Sequence, residues 1–369
     1  MEDLQLGYIP RWICLIYWGA YTFIFLLFFF QLWNKKRNYI NSTLYAVTIS
    51  LVLALFCIFY CLDTDFFNYM LVATAPEQFE GLGTVERIYL WLGPALEGDY
   101  MLFRIIVWGL AVVMTYLACA LFKTSRYVSI MLIFLIFFNL FCYGRISLAM
   151  SVFWVGLACL TGPYGKSIKL LGIFVVLLSV FLHRSTAIAI ACLAILLLPL
   201  NKKSELLIAL LVIILGGSIA YFVLSGGVFS EGSDLAGRVS NYNNQIEEGQ
   251  WGGLNIIGLI FRVSQYFLFY VVFFMIRNRI INRRDVPNNI MALYKVTWIL
   301  TVAATAFLVG LGFTPYFYRV INMTLVPLCI IMAYLFSQRL ISNKKMKVVL
   351  LLSMAFHFLH FYSIYTHCV

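Results

Sequence analysis

The sequence predicts an all-α polytopic membrane protein with about twelve transmembrane helices and two larger extracytoplasmic loops. Three observations carry that expectation. Hydrophobic residues fill 63% of the 369 positions and charged residues only 11%, against an apolar share of roughly 45–50% in soluble domains. Apolar runs of about 20 residues, the length that crosses a hydrocarbon core of ~30 Å, recur along the chain with no long hydrophilic insertion. Basic residues fall in short clusters between those runs, the pattern that orients membrane helices. A single polytopic domain over 1–369 follows.

The expected spans are roughly 12–33, 43–61, 100–122, 128–143, 146–161, 168–182, 187–200, 205–224, 254–276, 290–311, 320–337 and 348–366. The opening MEDLQLGYIPR is acidic where a signal peptide would be basic, so the first run is expected to stay as a membrane helix. If NKKRN after it faces the cytoplasm, alternation puts KTSR, GPYGKSIK, PLNKKS, RNRIINRRD and RLISNKKMK on the same side. All 11 lysines and seven arginines then lie at the cytoplasmic face, and 13 of the 15 acids lie outside, with Glu205 and Asp285 as the exceptions. The two outer loops run near 62–99 and 225–253. A net charge of +11 spread in this way serves membrane orientation, so nucleic acid is not an expected partner. The nine cysteines lie mostly inside apolar runs without zinc or disulfide spacing, so neither a metal nor a cofactor is expected.

The remaining eight basic residues are all arginines on the outer side: Arg11, Arg87, Arg104, Arg145, Arg184, Arg238, Arg262 and Arg319. A guanidinium grips phosphate or carboxylate with a planar fork and stays charged when partly buried. Pairing with outer acids, or snorkelling to headgroups, accounts for about half of such a set. It suits Arg145, Arg184 and Arg319 least. In FLHRSTAIAI, His183 lies 14 helical steps after Lys169, about 21 Å at ~1.5 Å per residue. That depth falls short of the outer surface, and a recessed charge points to function. The adjacent Arg184 disfavours the imidazolium, leaving a neutral base beside a phosphate-binding group. The plain alternative is a buried histidine bonded to a neighbouring helix.

Arg145 opens a helix after Gly144, whose backbone freedom is expected to permit a sharp turn. Arg319 follows Pro315 and three aromatics. The first outer loop offers Asp63 and Asp65 as acids and Tyr69, Tyr89 and Trp91 as stacking surfaces, with an amphipathic helix expected near 84–93. The second is rich in Asn, Gln, Ser, Gly, Tyr and Trp, residues that bind sugars and also build plain loops.

Four segments resemble the EpsG family of membrane polysaccharide polymerases, within the wider Wzy-type group. Asp65-x-x-x-Tyr69 with Glu86-x-x-Tyr89 is similar to one family pattern; Arg145 and Ala149 in YGRISLAMSVFW match a second, with Ile146 where the family has glutamine; Phe181, His183 and Ser185 match a third; and TPYFYRVINM resembles a fourth. The resemblance implies a GT-C-like glycosyltransferase of the bacterial cytoplasmic membrane, working at its outer face on undecaprenyl diphosphate-linked oligosaccharide repeat units in O-antigen or exopolysaccharide synthesis. It implies His183 or Asp65 as the proton acceptor and Arg145 and Arg319 as diphosphate ligands; Arg184, at a position that varies in the family, joins them on the depth argument, and Arg238 is a further candidate from the outer arginine set. Tyr69, Glu86 and Tyr89 would lie on the sugar side. Membrane lipid, a chain-length regulator and a flippase are the other implied partners. The competing readings are an O-antigen ligase, a transferase using a polyprenyl-phosphate sugar, and a lipid-linked oligosaccharide flippase or transporter. A transporter should show repeated halves and midplane charge, whereas here charge gathers at one outer face.

Overall fold

A computed structural model of the chain describes residues 11–33, 40, 42–59, 65–79, 85–142, 144–218, 256–281, 283, 285–311 and 315–365. Every regular element among them is helical. The first four helices are α1 (Arg11–Gln31), α2 (Thr43–Phe59), α3 (Asp65–Thr74) and α4 (Arg87–Ala95). Next come α5 (Tyr100–Leu121), α6 (Arg126–Phe141), α7 (Gly144–Thr161), α8 (Lys166–Leu182), α9 (Thr186–Ala191) and α10 (Lys202–Leu211). The last five are α11 (Ile256–Ile280), α12 (Asn288–Leu311), α13 (Pro315–Asn322), α14 (Leu325–Ser337) and α15 (Asn343–Tyr365).

Five of these segments are long and apolar enough to cross a membrane: Arg11–Gln31, Tyr100–Leu121, Gly144–Thr161, Asn288–Gly310 and Phe317–Ser337. Each expected span carries a helix, but several are short or broken. The run expected at 187–200 is α9 followed by the 3-10 segment Cys192–Leu197, and α10 leads into a π-helical turn at Val212–Gly216. The first outer loop is itself largely helical, since α3 and α4 occupy it, and α4 lies where an amphipathic helix was expected. The second outer loop lies outside the described residues.

Helices α7 and α14 are buried along nearly their whole length, whereas α1 leaves large apolar side chains on its outside. Phe23, Leu44, Phe174 and Phe181 are each more than half exposed. Such a surface is unstable in water and suits lipid. With no water-driven burial between helices, close packing and hydrogen bonds hold the bundle. Gly156 of α7 meets α8 at Gly172 so tightly that a methyl group on Gly156 would stand 2.7 Å from Val176. Thr115 of α5 and Ser151 of α7 share a 2.8 Å hydrogen bond. At Phe137 the backbone of α6 leaves helical geometry. The Leu135 carbonyl, two residues earlier, accepts 2.6 Å bonds from both Tyr21 of α1 and Ser353 of α15. A break in a helix frees carbonyls, and neighbouring side chains satisfy them here.

Contacts between described helix ends gather at two ends of the bundle. At the lysine-rich end Tyr127 donates to Gln31, Ser125 to the Ile40 carbonyl, and Tyr164 to the Leu121 carbonyl at 3.2 Å. Both acids that broke the charge pattern have basic partners there. Arg277 meets Glu205 at 2.8 Å, Tyr294 donates to the same carboxylate at 2.6 Å, and Asp285 pairs with Arg283 at 3.3 Å. A buried carboxylate is tolerated when it is paired and hydrogen-bonded, so Glu205 ties α10, α11 and α12 together. At the opposite end the Arg11 guanidinium lies 5.4 Å from the Tyr365 ring, and Tyr17 donates to the Phe59 carbonyl.

Candidate functional site

The site is assembled at the end of the bundle remote from the lysines, and α5 is its foundation. Tyr100, Arg104 and Trp108 are spaced four apart and share one face of that helix. Arg104 is fully buried; its guanidinium donates to the Cys57 and Ile58 carbonyls that end α2, donates to Tyr100 at 2.8 Å, and stacks 4.4 Å from the Trp108 ring. A cation at a helix C-terminus satisfies carbonyls that have no helical partner. Trp108 in turn donates at 2.9 Å to the Cys142 carbonyl, just before α7. Its ring lies so close to Gly144 that an added methyl group would meet it at 2.6 Å. Gly144 is therefore required for space, where the sequence suggested a need for backbone freedom. Gly144→Ala is expected to cost about 1–3 kcal/mol, the range for overpacked cores, read as a lower unfolding temperature of the purified protein.

That packing fixes Arg145 in the first turn of the 18-residue α7. A cation at a helix N-terminus opposes the helix dipole. The Arg145 guanidinium instead suits an anion. A carboxylate takes that place: Glu86, at the N-cap of α4, accepts from Arg145 Nη1 at 3.0 Å and from the Arg184 backbone amide at 3.3 Å. Tyr69 Oη accepts from both the Arg145 amide and its Nε at 3.3 Å. The Tyr69 and Tyr89 rings lie 5.2 and 5.9 Å from the guanidinium, and Tyr69 packs edge-on against Trp108. Both tyrosines are buried. Among the described residues the Tyr89 hydroxyl has no hydrogen-bond partner, and its burial pushes its pKa well above the ordinary range.

His183 joins this cluster from the turn between α8 and α9. It is the extended C-cap of α8. Its carbonyl accepts from the Thr186 hydroxyl at 2.8 Å, and Ser179 donates to that hydroxyl at 3.3 Å, which pins the turn from inside. Nδ1 accepts from the Ser185 amide at 3.2 Å and lies 4.0 Å from Glu86 Oε1. An imidazole that accepts at Nδ1 is neutral and carries its proton on Nε2. Burial pushes the His183 pKa down to about 4; Glu86 opposes the shift, while Arg145 and Arg319 add to it. Arg319 of α13 is thus within electrostatic reach of the imidazole.

The structure accordingly brings together Tyr69, Glu86, Tyr89, Arg145, His183 and the Arg184 backbone, with Arg319 nearby. The Arg184 side chain is exposed. Asp65 begins α3, and its side chain lies outside the described part, as do Asp63 and Arg238. Trp91 is 69% exposed, the one open ring of the three aromatics singled out in the first loop. Sequence reasoning missed the supporting role of Trp108 and the structural role of Arg104; the Tyr100, Arg104, Trp108 spacing was the available signal.

The EpsG family model matches residues 43–369. No curated protein and no solved structure matches the chain. The matched span contains all four resembling segments together with the whole cluster around Arg145, and the chain belongs to the EpsG family.

Proposed function

We propose that the protein joins undecaprenyl diphosphate-linked oligosaccharide repeat units at the outer face of the bacterial cytoplasmic membrane, through a twelve-span bundle whose lysine-rich end faces the cytoplasm. The observation that carries this reading is the Glu86 carboxylate held between the Arg145 guanidinium and the Arg184 amide. A site that holds one internal anion with a guanidinium and a backbone amide has the chemistry to hold a substrate phosphate.

In the reaction, a hydroxyl of one lipid-linked unit attacks the anomeric carbon of another. The new glycosidic C–O bond forms as the bond to the diphosphate breaks, and its electron pair leaves on the phosphate oxygen. Charge therefore grows on the leaving group, where preorganised cations contribute most. Arg145 and Arg319 provide that charge, with Arg184 and Arg238 as further ligands. Tyr69, Glu86 and Tyr89 hold the Arg145 fork from beneath and border the sugar, and Trp91 offers the exposed stacking face.

The attacking hydroxyl gives its proton to His183, or failing that to Asp65. Once His183 becomes imidazolium, Nδ1 can no longer accept from Ser185 and faces Glu86 instead. A diphosphate that draws Arg145 away from Glu86 leaves that carboxylate free to stabilise the imidazolium. Substrate binding and base strength are coupled in this way.

The test is reconstitution of the purified protein in vesicles with lipid diphosphate-linked repeat units. Growth of a ladder with release of polyprenyl diphosphate is the expected result. Transfer of a finished chain to a different acceptor would replace this reading with a ligase, and movement across the bilayer without new glycosidic bonds would replace it with a flippase. Loss of activity in Asp63→Ala and Asp65→Ala, with Arg145→Ala tolerated, would favour a polyprenyl-phosphate sugar transferase.

A further inference from the structure

At the lysine-rich end, α5 ends in a Schellman turn: the Thr124 amide donates to the Cys119 carbonyl and the Lys123 amide to the Ala120 carbonyl, both at 3.0 Å. The residue that turns left-handed there is Lys123, with φ +56°, at a position where glycine is the unstrained choice. Lys123 lines a cavity of about 280 Å³ between the starts of α2 and α6, together with Ser42, Thr124 and Arg126. Arg126 is held in place by Tyr116, to which it donates at 2.9 Å and over whose ring it lies at 5.1 Å.

Neither cation has a carboxylate partner among the described residues, and the sequence holds no acid in 4–62 or 100–204. Ser42 accepts from the Tyr45 amide at 3.4 Å, which leaves its hydroxyl proton to donate. A polar cavity at the ends of membrane helices that combines two uncompensated cations with a donor hydroxyl has the chemistry of a phosphate site. We propose that it holds the phosphate headgroup of an anionic phospholipid from the leaflet at the lysine-rich end. The 22 residues of α5, ~33 Å of helix, separate this cavity from the Arg145 cluster. The lipid site is therefore distinct from the site proposed for the chemistry and does not depend on that reading.

Lys123→Gly separates binding from folding, because it removes the charge while relieving the backbone. Binding to the full-length protein in neutral detergent is measured by native mass spectrometry with phosphatidylglycerol, phosphatidylcholine and inorganic phosphate as probes. The wild type is expected to prefer phosphatidylglycerol. Lys123→Gly is expected to weaken that binding about fivefold, the share of one basic residue near an anionic surface, while its unfolding temperature holds or rises. Lys169→Ala, in the first turn of α8, serves as the control and should bind as the wild type does. Equal binding of phosphatidylcholine, inorganic phosphate occupying the site as well as the lipid does, or undiminished phosphatidylglycerol binding by Lys123→Gly would each overturn the proposal.

Discussion

Replacing Arg145 with methionine is expected to lower the rate of chain extension by about 10²–10³-fold, the loss found when one preorganised donor to a developing oxyanion is removed. Methionine keeps an unbranched apolar stem between the Tyr69 and Tyr89 rings, so packing changes less than with alanine. Glu86 then loses its ion-pair partner, and a carboxylate left buried without its cation is costly. The double variant Arg145→Met with Glu86→Gln removes that cost. If the role of Arg145 is chemical, the double variant should recover unfolding temperature without recovering rate; recovery of both would assign the residue to structure alone. Arg145→Lys should fall between, because an ammonium keeps the charge but loses the fork that reaches Tyr69 and Glu86 together. Rate is read as the kcat of ladder growth on lipid diphosphate-linked units, and stability as thermal unfolding of the same preparations.

Much of the architecture was legible because apolar run length and lysine placement are dictated by the bilayer itself. Among the described residues each expected span holds a helix, and five segments are long and apolar enough to cross a membrane. Less legible were the breaks. The π turn at Val212–Gly216 and the 3-10 segment Cys192–Leu197 both pack against α12, and apolar composition does not encode such breaks. For the site, the resemblance marked Tyr69, Glu86, Arg145 and His183 as separate motifs, and the structure joins them through one carboxylate. The centrality of Glu86 was hidden because its partners lie 59 and 98 positions away, and no local periodicity reports on such distances. Arg104 was misleading in the same way. By sequence it belonged with the outer arginines, yet its guanidinium is spent on the carbonyl ends of α2. An arginine with nearby carbonyls to cap and an aromatic to stack on is a structural part, and only the three-dimensional neighbourhood separates it from Arg145.

His183→Gln is expected to leave the protein folded and inserted while slowing chain growth by about 10²–10⁴-fold, the usual contribution of a general base. The pH profile distinguishes catalysis from packing. His183 lies between two spans and has its pKa pushed down to about 4, so the neutral, proton-accepting form dominates from about pH 5 upward. kcat/KM should be level from about pH 5.5 to 8 and decline only as pH approaches 4, whereas an unshifted histidine would already cost activity below about pH 6.5. The linkage has a definite sign. In the window between about 4 and 6.5 the unfolded chain binds a proton at this residue that the folded protein does not, so stability contributed here falls as pH is lowered through that window. Glu86→Gln removes the one neighbour that raises the His183 pKa, and Arg319→Met removes one that lowers it. The acid limb should move to lower pH in the first variant and to higher pH in the second. A limb near pH 6.5 that neither substitution moves would exclude His183 as the proton acceptor and return that role to an outer-loop carboxylate such as Asp65.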